Sequence, residues 1–493
     1  MASYDFDIGI IGGGAAGLTV AAGAAQLGAR TLLIEKEPSL GGDCLHFGCV
    51  PSKTLIKSAH VYHQLGRTKQ FGLPEVDPGP VDFRQVADRI RSVIAQIQVH
   101  DSVERFCKLG AHVAFGEPEF TDEHSTQLNG KTLSAKYWAI ATGSSPAPPR
   151  VHALDALDYI TNREIFSLDK LPETLIVLGA GPIAVEMAQA FNRLGSKVVV
   201  IQRSGQILSK EDKDMADTVM QVLQDEGIEI LLNRSIVDAD QQNNIKSITV
   251  EDKDGNRSTH SGDTVLLAQG RTPNAKGLGL KNIDIAMTPG GITVDNRLRT
   301  SHKHIFAPGD VNGKFQFTHA AGYEGGIVIT NAVFHLPRKT DYTLMPWCTF
   351  TDPELASIGM NEKRAGQEGV DYSVWTEEFN DNDRALAEGS STGKIKMLLN
   401  EKEKVIGVQI VGPRAGDLLG EWVAILGGGV KLSTLAGTVH PYPTLAEINK
   451  RVAGTFISTK IFSDRIKKGL KLFFQLKGPA QDPCSKINHF DSV

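Results

Sequence analysis

IGIIGGGAAG, residues 8–17, is the stretch on which the fold turns. A short apolar run, a glycine-rich turn and a run of small residues read as strand, tight turn and helix. Gly12, Gly14 and Gly17 stand at G-x-G-x-x-G spacing. The first glycine turns the chain, the second lets backbone approach a pyrophosphate, and the third lets helix pack on strand. The next apolar run, TLLIE, ends at Glu35. A carboxylate at that place can bond ribose hydroxyls, so strand, turn, helix, strand and acid together mark a Rossmann-type unit.

The pattern recurs. LIVLGAGPIAVE, residues 175–186, is again strand, turn and helix, with Gly179, Gly181 and Ala184 in the G-x-G-x-x-A variant. Two such units argue for two dinucleotides or a duplicated domain. In the second unit Gln202 stands where the first has Glu35, and Arg203 follows. Loss of the acid removes repulsion from a 2′-phosphate and the arginine can pair with one, which favours NADP(H) over NAD(H). ATGSSP places a Thr142–Gly143 turn at a strand end, a second approach to the first nucleotide. HIFAPGDVNG (304–313) returns toward the first unit, and its Asp310 suits the ribityl or pyrophosphate part of a flavin. From about residue 345 the texture changes to an α+β pattern of separate strands and helices, ending in TVHPYPTLAE, residues 438–447.

Between the first fingerprint and its next helix lies GGDCLHFGCVPSK, residues 41–53. Cys44 and Cys49 are separated by four residues beside a bound dinucleotide, where two thiols can pass two electrons by making and breaking a disulfide. Cys49 stands at a helix start, where the positive end of the helix dipole favours thiolate. The alternatives are a structural disulfide or a zinc half-site with His46 or His60, which lacks a second cysteine pair.

Composition narrows the class. The chain has 493 residues, 41% apolar, with net charge −5, so bulk charge gives no case for nucleic acid. Five cysteines do not make a disulfide framework in so long a chain. MASYDFD leads straight into the first strand, so no targeting segment is expected, and no run is apolar enough to span a membrane. The expected place is the cytoplasm, where a cysteine pair is more often catalytic or metal-binding than structural. A single long helix is expected from about Asp82 to Leu109 with Cys107 packed in the core, then a β-meander from Ala111 to Ile140.

These blocks, taken with GRTPN (270–274) and FTDPELASIG (350–359), resemble the pyridine nucleotide–disulfide oxidoreductases, the family of dihydrolipoamide dehydrogenase, glutathione reductase and mercuric reductase. The resemblance covers roughly residues 5–460. It implies an α/β fold of two Rossmann-like dinucleotide-binding domains plus a C-terminal α+β dimerisation domain. The implied division is FAD-binding at 1–150, NAD(P)H-binding at 151–280, central and FAD-binding at 281–342, interface at 343–462, and a basic amphipathic tail at 463–493. It also implies FAD as cofactor and a homodimer with an active site shared across the interface. Electrons pass from reduced nicotinamide through FAD to a Cys44–Cys49 disulfide. Cys49 is then the charge-transfer thiol, Cys44 the interchange thiol, Lys53 a neighbour of the flavin paired with Glu186, and Arg271 a contact of the nicotinamide nucleotide.

The chain departs from the family at two places. Disulfide-reducing members carry a histidine before Pro-Thr and a glutamate five residues later, which shuttle the thiol proton. Here Tyr442 precedes Pro443, Glu447 follows at the family spacing, and His440 lies two residues earlier. A phenol near pKa 10 is a poor general base at neutral pH beside a histidine near 6.5. Tyrosine there is similar to the mercuric-reductase branch, so the expected acceptor is Hg(II), another soft metal or a small electrophile. A lipoamide-type disulfide is the alternative. The C-terminal cysteine pair of that branch is absent, and only Cys484 stands near the end. The second departure is IFSDRIKKGLKLFFQLK, residues 461–477, with Ile466, Leu470 and Phe473 or Phe474 along one face. It reads as a helix packed on its own dimer, with a membrane-surface or partner helix as the alternative. That tail also admits a reading of another class, a redox-sensing flavoprotein that signals through it.

Overall fold

A computed structural model describes residues 4–478; Cys484 lies outside the described residues. The first unit is built on five parallel strands in the order Ala111–Phe115, Thr31–Glu35, Phe6–Ile11, Lys131–Ile140, Ile305–Phe306. Strand Thr31–Glu35 is buried at every position, as befits a parallel strand covered on both faces. Lys131–Ile140 serves two sheets along its length. Ala135–Ile140 pairs with Phe6–Ile11, while Lys131–Ser134 pairs antiparallel with Ser125–Leu128, to which Glu119–Asp122 adds a further strand.

The small-residue run of the first fingerprint becomes helix Ala15–Gln26, which packs against Thr318–Ala332. Gly17 is there for space: a Cβ would come 1.9 Å from the carbonyl oxygen of Gly12. The second unit has four parallel strands in the order Glu229–Leu231, Lys197–Ile201, Thr174–Leu178, Thr264–Leu267, with a three-stranded antiparallel sheet from Ser235 to Gly262. The third has a five-stranded antiparallel sheet in the order Pro346–Thr349, Glu354–Gly359, Val405–Gly412, Lys394–Asn400, Tyr372–Glu378, covered by helices Ala415–Gly427 and Glu447–Ile461. The chain is therefore an α/β protein with two dinucleotide-type units and a C-terminal α+β unit. Among the described residues no helix is long and apolar enough to cross a membrane.

Three local expectations are corrected. The single helix of 82–109 is broken into Phe83–Gln98, a 3-10 turn at Val99–Asp101, and Val103–Lys108. Ser102 causes the restart: it is extended, and its hydroxyl accepts the Arg105 N–H at 3.3 Å as an N-cap. Cys107 is exposed rather than packed, because the short second helix buries only Phe106. Ala111–Phe115 joins the parallel sheet at its edge beside Thr31–Glu35, leaving the meander to the strands after it. The tail forms helix Asp464–Phe474, none of whose residues is buried in the described chain.

Gly17→Ala should lower stability by about 1–3 kcal/mol through overpacking of the turn. Chemical denaturation of the purified variant checks this; an unchanged midpoint and slope would remove the steric reading of the turn.

Candidate active site

The first fingerprint turn is tied down by the acid that ends the next strand. The Gly13 N–H donates to Glu35 Oε2 at 2.5 Å and the Glu37 N–H to Glu35 Oε1 at 2.8 Å. The cysteine segment rests directly on this turn. Gly41 and Gly42 have φ of +116° and +60°, and a Cβ on Gly42 would come 2.7 Å from Gly14 Cα. That close approach, which only glycine allows, sets helix Gly42–His46 against the turn. Cys44 lies in that helix, and Cys49 opens the next, Cys49–Leu65.

The two thiols act on each other's ionisation in opposite senses. Cys49 is held down to about 6, first by Cys44, then by Thr318 and the nearby Lys53 ammonium, against the opposing effect of burial. The Thr318 hydroxyl lies 3.4 Å from Cys49 Sγ and can donate to the thiolate. Cys44 is driven well above the usual thiol range because it keeps its proton beside the Cys49 thiolate and is itself desolvated. The result is one thiolate and one thiol at neutral pH, the unequal pair that two-electron sulfur chemistry requires.

One helical turn beyond Cys49, Lys53 Nζ donates to Glu186 Oε2 at 2.8 Å and lies 4.5 Å from the centre of the Phe350 ring. Glu186 Oε1 accepts the Phe350 N–H at 2.9 Å, so this buried carboxylate has both oxygens engaged.

A second cluster adjoins through Asp43. Arg271 pairs with Asp43 at 3.0 Å and donates to the hydroxyl and carbonyl of Ser144 at 2.7 and 2.8 Å. Ser144 Oγ in turn donates to Asp310 Oδ2 at 2.6 Å. Burial pushes the Asp310 carboxyl up, opposed by Ser144 and Arg271. Thr142 Oγ1 donates to the Asn274 carbonyl at 2.6 Å, and the Asn274 N–H returns to the Gly143 carbonyl at 2.9 Å. The residues Ser144–Pro146 and Arg271–Pro273 form a two-stranded ladder, so the chain crosses between units here.

In the second fingerprint, a Cβ on Gly179 would strike the Ala268 carbonyl at 2.5 Å, whereas at Gly181 nothing lies within 4 Å. The open side of Gly181 faces out at the start of helix Pro182–Leu194, room of the kind a pyrophosphate takes, and Ala184 is fully buried behind it. Gln202 donates to Ser204 Oγ at 2.7 Å. Arg203 is exposed and has no ion pair among the described residues.

The third set has its hydrogen-bond and ion-pair partners, among the described residues, within the third unit. Tyr442 is exposed, and its hydroxyl donates to Asp383 at 2.7 Å, which raises it above the usual phenol range. His440 Nε2 pairs with Glu421 at 2.9 Å, so its imidazole is engaged away from Tyr442. Glu447 begins helix Glu447–Ile461 and accepts the Thr444 N–H at 3.3 Å. Sequence reasoning missed Thr318, Asp43 and Phe350. Thr318 carried one weak signal, a hydroxyl at the start of a helix that follows the FAPGD turn.

Residues 6–325 match the pyridine nucleotide-disulphide oxidoreductase family and residues 345–453 its dimerisation domain. The chain belongs to this family. It is 32% identical to a mercuric reductase of Staphylococcus aureus over 92% of this chain and 82% of that protein. It is 34% identical to a dihydrolipoyl dehydrogenase of Geobacillus stearothermophilus over 92% of this chain and 96% of that protein. It superposes on the HOCl-induced flavoprotein disulfide reductase RclA from Escherichia coli with a TM-score of 0.81 at 27% identity, over 91% of this chain and 99% of that one. A Cu(II) complex of the same Escherichia coli protein superposes with a TM-score of 0.80 at 27% identity, over 90% and 98% of the two chains. Family members are FAD-dependent oxidoreductases served by NAD(P)H, and this chain is an enzyme of that class with a dimerisation domain.

The Thr318 contact gives a direct test. In the reduced protein, iodoacetamide labelling of Cys49 should follow a pKa near 6. Thr318→Val removes a hydrogen bond to the charged form and should raise that pKa by roughly one unit. Identical labelling profiles for the two proteins would mean that Thr318 does not hold the thiolate.

Proposed function

We propose that this enzyme passes electrons from NADPH through the Cys44–Cys49 pair to a soft or borderline metal ion, Hg2+ or Cu2+, or to another small electrophile. The observation that carries the reading is Tyr442. Dithiol–disulfide exchange needs a base that takes a thiol proton at neutral pH. A phenol raised further by Asp383 is not that base. A soft cation binds thiolate sulfur directly, and Cys49 is already ionised near neutrality. The mercuric reductases among the relatives and the Cu(II) complex of the Escherichia coli neighbour support the same acceptor class.

The cradle suits a flavin dinucleotide: the Gly12–Gly14–Gly17 turn is crowded at positions 12 and 17, while a Cβ on Gly14 would meet only Gly42 Cα, at 3.8 Å. In this reading Gly12, Gly14, Gly17, Glu35, Thr142, Gly143 and Asp310 hold FAD. When bound, FAD supplies two-electron transfer between a reduced nicotinamide and sulfur. Gly179, Gly181, Ala184, Gln202 and Arg203 hold NADPH, with Arg203 on the 2′-phosphate. Arg271 keeps Asp43 and Ser144 in place between the two nucleotides. Lys53, fixed by Glu186, keeps a positive charge beside Cys49. Cys44 takes the acceptor side, with its proton shared toward Cys49. In a homodimer, the Tyr442 and Glu447 of one subunit complete the cysteine site of the other, and His440 braces that loop through Glu421. A cytoplasmic setting suits a cysteine pair that must cycle.

The second reading is a dihydrolipoamide-type activity. Glu447 favours it, since this carboxylate stands at the place where disulfide-reducing members use one, and so do the dihydrolipoyl dehydrogenase relatives.

An anaerobic acceptor panel with NADPH and NADH separates the two readings. Hg2+ or Cu2+ should turn over faster than lipoamide and glutathione disulfide; fastest turnover with lipoamide would reverse the assignment. Tyr442→His should raise lipoamide turnover by about 100-fold, the usual contribution of a positioned general base. No gain in an intact dimer would show that proton transfer is not the deficit. Arg203→Ala should raise KM for NADPH about tenfold while leaving KM for NADH nearly unchanged. Equal effects on both would remove the 2′-phosphate contact.

A further inference from the structure

At the end of the flavin-unit sheet opposite its fingerprint turn, two distant pieces of chain bring histidines together. Glu123 and His124 sit in the turn between strands Glu119–Asp122 and Ser125–Leu128. His302 and His304 precede the returning strand Ile305–Phe306. Trp138 clamps the pieces side by side: its backbone N–H donates to the His304 carbonyl and its indole N–H to the His124 carbonyl, each at 3.0 Å. The rings of His124 and His304 stack with centres 4.1 Å apart.

Hydrogen bonds fix the tautomers. His124 Nδ1 lies 3.0 Å from the Ala135 carbonyl and His304 Nε2 lies 3.1 Å from the Glu123 carbonyl. A carbonyl only accepts, so each of these nitrogens carries the hydrogen and the other nitrogen of each ring keeps its lone pair. A backbone carbonyl orienting the far nitrogen is the usual support of a metal-binding histidine. His302 repeats the arrangement. Its Nε2 faces the Ile283 carbonyl at 2.6 Å, and its Nδ1 faces Glu123 Oε2 at 2.8 Å. That contact is of ordinary hydrogen-bond length, so His302 holds the Glu123 carboxylate beside the other two imidazoles.

We propose that Glu123, His124 and His304, with His302 beside them, bind one divalent transition ion of the Zn2+ or Cu2+ class, outside the redox centre. One ligand atom from each of Glu123, His124 and His304 lies within 4.8 Å of the others; Glu123 Oε2 stands 4.0 Å from His304 Nε2, so the half-exposed Glu123 side chain has to turn to meet the free Nδ1. Imidazole with carboxylate is the donor set of these ions rather than of Mg2+ or Ca2+. The ion would staple the meander turn to the returning strand. It would carry no electrons in the reaction at the cysteines.

The test uses tag-free, FAD-loaded protein carrying Cys44→Ser and Cys49→Ser, so that metal at the cysteine pair cannot mimic the site. One equivalent of Cu2+ per chain should give an electron paramagnetic resonance signal split by at least two nitrogens. Adding His124→Gln and His304→Gln should weaken binding by more than about tenfold, and Zn2+ should raise the thermal midpoint only when both histidines are present. If the doubly substituted histidine protein does not fold, Glu123→Gln, a change at a half-exposed side chain, carries the same comparison. A Cu2+ signal without nitrogen splitting, or affinity unmoved by these changes, overturns the proposal.

Discussion

The centre depends on one ion pair, Lys53 with Glu186. Lys53 stands on helix Cys49–Leu65 of the first unit and Glu186 on helix Pro182–Leu194 of the second. The same carboxylate takes the Phe350 N–H from the third unit. One buried side chain therefore fixes a group from each of the other two units. Breaking a buried pair costs about 3–5 kcal/mol. The figure falls here because Lys53 is about one-third exposed, and solvent screens its charge. Around the pair, Leu55 and Ala59 of one helix share an apolar core with Ala184, Ala188 and Phe191 of the other. Packing sets the helix spacing, and the ion pair sets where along the helices a positive charge meets Cys49.

The third unit is seated by one short segment of the second. Glu211 is buried and accepts from Trp347, Ser357 and Gln409 at 2.5, 2.7 and 2.6 Å. Burial raises its carboxyl, and the three donors oppose that rise. Lys396, also buried, is met by Asp212, Asp214 and Glu362. Charge buried in this manner does little for net stability, yet it penalises any other seating, since each misplaced group would stand unpaired. The position of the Tyr442 loop relative to the fingerprints follows from that seating.

The parts legible in the sequence were those whose physics is local. The fingerprints and the cysteine segment announce themselves through glycine spacing and helix starts, because a turn imposes its demand on adjacent residues. The exchange of glutamate for Gln202 and Arg203 was readable for the same reason. Thr318 was not, because its partner Cys49 lies in a remote segment and nothing nearby requires a hydroxyl. The break at Ser102 was hidden by continued apolar spacing on both sides, which periodicity reads as one helix while a capping side chain reads it as two. Cys107 followed from that error. It was expected in the core at the end of one long helix, whereas the short second helix buries only Phe106.

The strand Ile305–Phe306 that completes the sheet of the first unit pairs beside Trp138, with the whole second unit between them in the chain. Vectorial synthesis therefore delivers the second unit before the sheet of the first can close. At about 5–20 residues per second, the edge at Lys131–Ile140 waits roughly ten to thirty seconds on the ribosome for its neighbour. An open edge of that kind invites pairing with another nascent chain. The second unit, whose four parallel strands all lie within residues 174–267, gives the polypeptide something to fold during the delay, and the order of genetic information thus bears on yield as well as on architecture.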